Sequence, residues 1–431
     1  MKIAVVGGGI SGLSCAWLLS SNHDVWLYEK DDRFGGHSHT VRVTGSQGAI
    51  PVDTGFIVFN EKTYRNLTAL FQHLDVSTVP ADFSCGVSLN QGRTEYLATS
   101  LTGLFGRPGN VLKPEYWKIL FNVLRFYHSS HDWLTSLSAS MTLRELLESH
   151  CPERKFIAEH LLPIGCALWS IPPARLLDYP ALVFLRFFYN HGLLQSSDRP
   201  QWLTVKGGSS VYTQKLRAKL DFKALDNRCV RQVRRHHDRV VISDWQGGSW
   251  EFDQVVMACH ADISLRLLSE PDMLEQKLLG AFRFSRNRVL LSSDQRVMPR
   301  NRKAWASWNY QADTSSKESS VTYWMNRLQQ IDDRPLFLTV NPLIEPDSSL
   351  VQSCSLDDHP LFDSEAIEAQ KQLWKLQGRR RTWFCGAWFG YGFHEDGLQS
   401  GLTVAERLGG HHRPWQVDNE NDRLTLPDDW Y

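Results

Sequence analysis

Hydrophobic positions in this chain follow two patterns: short apolar runs punctuated by glycine, and longer stretches with helical spacing. Lys2 to Val6 is a β-rich run that reads as a buried strand. Gly7-Gly8-Gly9-Ile10-Ser11-Gly12 interrupts it, and Leu13 to Ser20 continues as a helix. After the polar turn Ser21-Asn22-His23-Asp24, Val25 to Tyr28 reads as a second strand ending in Glu29. Val41–Val43 with Gly48–Ile50 predicts a hairpin leading into Val52–Phe56. Val240–Ser243 and Trp250–Asp253, around Gln246-Gly247-Gly248-Ser249, predict another. Val255–Cys259 and Thr382–Gly386 read as further strands, and Gly397 opens a helix through Arg407.

The intervening segments carry helix signals. Thr142-x-x-Glu145 is a capping box ahead of Leu143–Leu147. From Tyr116 to Tyr127, one helical face collects Tyr116, Leu120, Val123, Leu124 and Tyr127, and Lys118, Asn122 and Arg125 take another. This predicts a core-facing helix; a helix lying on lipid is the alternative. Gln311 to Ser320 is polar and Ser-rich, the pattern of a mobile loop.

At 431 residues the chain has room for two or three domains. Apolar residues at 42% and charged residues at 22% fit a soluble globular protein with a sizeable core. Lys plus Arg and Asp plus Glu are both 47, a balance that argues against a nucleic-acid partner. The one marked charge run, Arg228, Arg231, Arg234, Arg235 and Arg239, reads as a solvated strand face or as a surface for anionic lipid or phosphate. The eight cysteines are scattered without a C-x-x-C pair, which reads as reduced intracellular thiols. No secretory signal and no membrane-spanning run is seen, so the expectation is a cytoplasmic chain that at most touches the inner membrane face. No carboxylate–His constellation at metal spacing appears.

The chemistry begins at G-x-G-x-x-G, here set between two strands and opening a helix, the context of a dinucleotide site. Gly7 allows the turn, Gly9 lets a pyrophosphate approach the backbone, and Gly12 lets helix and strand pack closely. The helix N-terminus supplies N–H groups and partial positive charge. Glu29, 17 residues beyond Gly12, is placed to accept from both ribose hydroxyls.

That fingerprint serves FAD and NAD alike, and other segments separate them. Arg33-Phe34-Gly35-Gly36-His37-Ser38-His39-Thr40 follows Glu29, and Asp53-Thr54-Gly55 comes next. A second glycine pair followed by D-x-G resembles the FAD-dependent amine-oxidase-like flavoprotein superfamily. The resemblance implies FAD, with Gly7, Gly9, Ile10, Ser11, Gly12, Glu29, Lys30, Arg33, Gly35, Gly36, His37, Asp53, Thr54 and Gly55 along the cofactor. It also implies a backbone contact to adenine at Val230, and cofactor contacts at Gly386, Gly397 and Ser400, where a helix N-terminus faces the flavin. The family usually has an acid after the glycine matching Gly386; this chain has Ala387, with Asp53 and Asp396 as possible replacements.

Aromatic and amide-rich segments narrow the resemblance: Trp169-Ser170-Ile171-Pro172-Pro173, Phe184 to Gly192, Trp202 to Ser209, Trp305 to Tyr310, Tyr323 to Leu328 and Gly386 to Gly397. With the N-terminus they resemble bacterial FAD/NAD-binding oxidoreductases associated with cyclopropane-type fatty-acid synthases. The implied fold is α/β: a Rossmann-like FAD-binding domain of the GR2/amine-oxidase type, with an inserted α+β substrate domain. The FAD-binding domain takes residues 1–76, 205–261 and 376–415, the substrate domain 77–204 and 262–375, and a C-terminal tail 416–431. Trp169, Phe188, Trp308, Tyr323, Trp388 and Tyr391 are the candidate substrate pocket. His37, His191, His260 and His394 are candidate acid–base groups, with His394 the leading catalytic candidate.

The implied activity is FAD-dependent dehydrogenation of an unsaturated or methyl-branched fatty acyl chain. Alternatives are oxidation of a hydrophobic amine, a non-redox flavin isomerase, and a non-catalytic flavin-binding partner of a fatty-acid methyltransferase. The implied partners are a hydrophobic small molecule or lipid acyl chain, that methyltransferase, and a peripheral membrane surface.

Overall fold

A computed structural model describes residues 1–98, 112–138, 140–151, 153–169, 171–194, 199–219, 223–313 and 318–430. Five short strands form a wholly parallel sheet in the order Thr382–Phe384, Gln254–Met257, Lys2–Val6, Asp24–Tyr28, Lys223–Leu225. Its central strand is covered on both faces, with Ile3, Ala4 and Val5 fully buried, which is why this strand reads as a continuous apolar run. Lys223–Leu225 carries no such run and was not predicted.

Helix Ile10–Ser20 lies between this sheet and helix His394–Arg407, and all three approach closely at glycine. A Cβ on Gly12 would stand 1.9 Å from Gly7 O. One on Gly397 would stand 2.9 Å from Ser11 Oγ, and one on Gly401 2.3 Å from Ser11 O. The second helix begins three residues before the predicted Gly397, because the Asp396 carboxylate accepts from Phe393 N–H (2.7 Å) and organises the turn there.

A mixed seven-stranded sheet runs Val351–Leu361, Arg283–Ser292, Phe337–Val340, Ser319–Trp324, Trp308–Ala312, Cys85–Leu89, Thr94–Leu97. Gln311, Ala312, Ser319 and Ser320, predicted in a loop, are paired strand residues; residues 314–317 of that segment lie outside the described chain. The predicted hairpins at 40–53 and 240–252 both form. Thr142 and Glu145 make the predicted capping box. Beyond it, helices Pro114–Ser136, Leu143–His150, Leu162–Trp169 and Ala181–Asn190 enclose a second apolar core.

Helix Pro114–Ser136 faces the core as predicted through Tyr116, Leu120, Val123 and Tyr127, and departs from the prediction at Leu124. Tyr116, Ile119, Val123 and Phe126 are buried, and Leu124 is exposed. The arginine run is not one solvated face. Arg235 is buried against Glu275, Arg228 pairs with Asp244 at 2.9 Å, and Arg239 pairs with Asp238 and Glu251. The C-terminal segment folds back onto the body through Arg423, which donates to Thr63 O at 2.6 Å. Just before it, Arg413 donates to Glu406 and Asn66.

Gly401→Ala tests the helix crossing. Alanine gains about 1 kcal/mol of helix propensity over glycine, but overlap with a backbone oxygen costs roughly 1–3 kcal/mol. Net destabilisation, read as a lower melting temperature, is the expected outcome.

Candidate cofactor and substrate site

Gly9 is the N-cap of helix Ile10–Ser20, no side chain caps that end, and its first turn holds no acid. A Cβ on Gly9 would meet nothing within 4 Å. Open space in front of helix N–H groups, with no competing carboxylate in the turn, fits a bound pyrophosphate.

The second glycine pair closes on the first. Gly35 N–H donates to Gly8 O at 2.8 Å, and a Cβ on Gly36 would lie 3.1 Å from Gly9 Cα. Arg33 braces the turn by donating to Gly36 O at 2.8 Å. Glu29 is buried beside it, accepting from Gly8 N–H (2.8 Å) and Asp31 N–H (3.0 Å). Each carboxylate oxygen retains a second lone pair for a hydroxyl. Arg228 N–H donates to Glu29 O at 2.8 Å and brings the segment of Val230 alongside. Lys30 stands apart at the surface, paired with Asp31.

Residues 53–56 run along 37–39. Thr54 N–H donates to His39 O, and Phe56 N–H to His37 O. A Cβ on Gly55 would lie 2.1 Å from His37 O, so only glycine fits that contact. Gly386 N–H donates to Ser400 Oγ at 3.0 Å, tying the last strand of the parallel sheet to helix His394–Arg407. Gly397 is inside that helix, and its missing side chain makes room for Ile10 and Ser11.

The acids proposed to replace the one absent at Ala387 are committed within the protein. Asp53 accepts from Thr40, Ser209 and Gln329, and burial raises its pKa to about 6. Asp396 accepts from Tyr391 N–H and Phe393 N–H, and burial raises it to about 7. Both act as internal braces.

His394 occupies the first turn of its helix. Its ring stacks on Phe56 at 4.1 Å, and Nε2 bonds Tyr212 (2.6 Å) and Ser38 (3.2 Å). Burial lowers its pKa to about 3, so the ring is neutral and its Nε2 engaged, the setting of a positioning residue rather than a base. His37 and His260 come together, with ring centroids 6.4 Å apart, and His359 joins them 5.8 Å from His37. His359 was missed because only the register of the long strand Val351–Leu361 brings it there.

Five of the six predicted pocket aromatics lie toward the helical insert or the tail. A chain of rings spaced 3.9–5.8 Å runs Tyr323, Trp308, Phe83, Trp202, His191, Phe187, Phe393. Trp169 packs on Phe187 at 4.6 Å, Phe188 stacks on Phe184 at 4.1 Å, and Tyr391 lies 5.8 Å from the Arg423 guanidinium. Ser170, in the same motif as Trp169, lies outside the described residues. Trp388 does not join them. It is buried against Phe282 and Phe389 and donates to Cys259 O. Phe188 and Trp308 line a narrow cavity of about 20 Å³ with Phe83, Tyr127 and Arg199. His191 is buried, held at Nδ1 by Phe187 O (2.8 Å), and lowered to about 3 by desolvation. Glu406, His412 and Glu420 form a cluster that the sequence spacing did not predict, and Arg413 already pairs with both acids.

Two variants check this map. Gly9→Val projects into open space at an extended backbone position, so the protein should fold and lose flavin, read as absorbance per chain. Unfolded histidine takes its proton near pH 6.5, whereas folded His394 stays neutral to about pH 3. Its contribution is complete above pH 6.5 and lost as pH falls, by about 2 kcal/mol near pH 5. His394→Gln should flatten the pH dependence of urea unfolding by that amount.

The sequence pattern of the family described as Flavin containing amine oxidoreductase matches residues 10–340. The amine oxidase [flavin-containing] A of Canis lupus familiaris is 22% identical over 293 residues, covering 64% of this chain and 52% of that protein. The chain thus spans about half the length of the curated relatives it matches. Its fold is similar to that of putrescine oxidase bound to putrescine (TM-score 0.69, 14% identity, 95% of this chain and 99% of that one). It is also similar to the CLA-producing fatty acid isomerase from P. acnes (TM-score 0.67, 14% identity, 94% and 98%). With the glycine turns, Glu29 and the matched span in place, this chain belongs to the flavin-containing amine oxidoreductase family, whose members are FAD-dependent oxidoreductases.

Proposed function

We propose that this protein dehydrogenates a fatty acyl chain carrying a free or esterified carboxyl end. The observation that carries the reading is the donor balance of the aromatic cavity. Trp308 lines it with a buried Nε1–H that has no hydrogen-bond partner, and no carboxylate is among the described lining residues. A free N–H donor favours a carboxylate or carbonyl oxygen and offers nothing to an ammonium. Phe83, Phe188, Leu193 and Ile164 supply apolar walls for a chain. The cavity is too narrow as it stands for any substrate, so entry requires these side chains to move.

Two hydrogens leave neighbouring carbons and a double bond forms between them. FAD, which the turns at Gly7–Gly12 and Gly35–Gly36 and the Glu29 carboxylate would hold, would accept one hydrogen with both electrons, with oxygen or a quinone as the final electron acceptor, and the other hydrogen would leave as a proton. The residues of this chain hold the substrate, exclude water and fix its approach through the aromatic path that ends at Phe393, beside His394. Amine oxidation is the second reading, favoured by family membership and by the names of the relatives. The fatty acid isomerase of the same fold supports the lipid reading only as a precedent for that substrate class.

Anaerobic mixing of the flavin-loaded protein with unsaturated or methyl-branched lipids, and separately with primary and secondary amines, decides between them. Bleaching by the lipids alone supports acyl dehydrogenation, and bleaching by amines alone overturns it. Trp308→Phe keeps the ring and removes the donor. It should raise KM for a free-carboxylate chain about tenfold and leave a chain without a carboxyl group unaffected.

A further inference from the structure

We infer that the outer face of helix Pro114–Ser136 is a docking surface for an anionic lipid bilayer. The helix carries two apolar stripes instead of one. The inner stripe, Tyr116, Ile119, Val123 and Phe126, is buried in the second core. The outer stripe, Trp117, Phe121 and Leu124, is 51%, 67% and 47% exposed, and Leu112 just before the helix is 85% exposed. Both stripes have heptad spacing and differ by a rotation of about one residue, so the helix is apolar over more than the arc its core uses.

Charge selects the occupant. Residues 112–136 carry Lys113, Lys118 and Arg125 against Glu115 and Asp132, and residues 116–131, which hold the outer stripe, carry Lys118 and Arg125 and no acid. Lys118 and Arg125 are exposed beside the outer stripe, whereas the arginine run at 228–239 is largely paired with acids. Aromatic and leucine side chains flanked by basic ones are the composition of a helix lying in a membrane interface. No helix among the described residues is long and apolar enough to cross a bilayer, so this one lies on the surface.

The stripe continues along the helix to His131, whose ring packs edge-on against Tyr189, itself half exposed on helix Ala181–Asn190. Tyr127 of the docking helix walls the cavity that Phe188 and Trp308 also line. Docking therefore brings a bilayer next to that cavity. The inference does not depend on which substrate is oxidised, because binding is read without turnover.

The test is flotation of the full, flavin-loaded chain with vesicles of phosphatidylcholine alone or mixed with phosphatidylglycerol. The wild-type protein should float with the anionic vesicles, less so as salt is raised. Lys113→Gln with Lys118→Gln should weaken that binding about 25-fold, roughly fivefold per charge. Phe121→Ser with Leu124→Ser should lower it at least about tenfold with flavin content and melting temperature unchanged. Met273→Ser, at an exposed apolar residue elsewhere, should change nothing. Failure of the wild type to float, or flotation insensitive to both double variants, overturns the inference. A dimer in sedimentation equilibrium that Phe121→Ser dissociates overturns it too, by assigning the face to a second copy of the chain.

Discussion

A Cβ on Gly12 would lie 1.9 Å from Gly7 O, and one on Gly401 would lie 2.3 Å from Ser11 O. Strand Lys2–Val6, helix Ile10–Ser20 and helix His394–Arg407 thus touch backbone to backbone, at a spacing that any side chain would break. The rest of the site depends on this approach. It places the N-terminus of the first helix against the turn at Gly35 and Gly36, and it seats Ser400 against Gly386. It also fixes Glu395, whose carboxylate accepts from the N–H groups of Asn66 and Leu67 and caps helix Arg65–His73.

Apart from Glu29, buried charge is spent on holding these elements together rather than on meeting the cofactor. Glu395 and Asp53 each brace distant segments, Asp396 braces the turn that opens its own helix, and Arg413 and Arg423 fasten the C-terminal chain over the same helices. The phosphate-facing end is left to backbone N–H groups and a helix dipole, which carry no counter-ion of their own. His394 belongs to the bracing group by its partners, although its place in sequence resembles that of a catalytic residue.

Local features were legible wherever neighbours in sequence are also the partners that matter. The first strand–turn–helix–strand unit, both hairpins and the capping box of Thr142 and Glu145 form as their residues predict. Prediction failed where burial is decided by distant residues. The helix at 114–136 has enough apolar residues for two faces, and only packing on the second core selects the inner one. Gln311 to Ser320 is polar by composition, yet its ends are held by a seven-stranded ladder.

The sequence by itself determined the dinucleotide turn, the glycine pair and the family, because those demands are local: a conformation or a close approach that only certain residues allow. Tertiary structure alone decided that Trp388 belongs to the core and Trp308 to the cavity, that His359 meets His37, and that Phe121 and Leu124 stay outside. A side chain's chemistry is written at its own position. Whether that chemistry is buried, paired or presented depends on residues far along the chain, through contacts that no spacing in the sequence encodes.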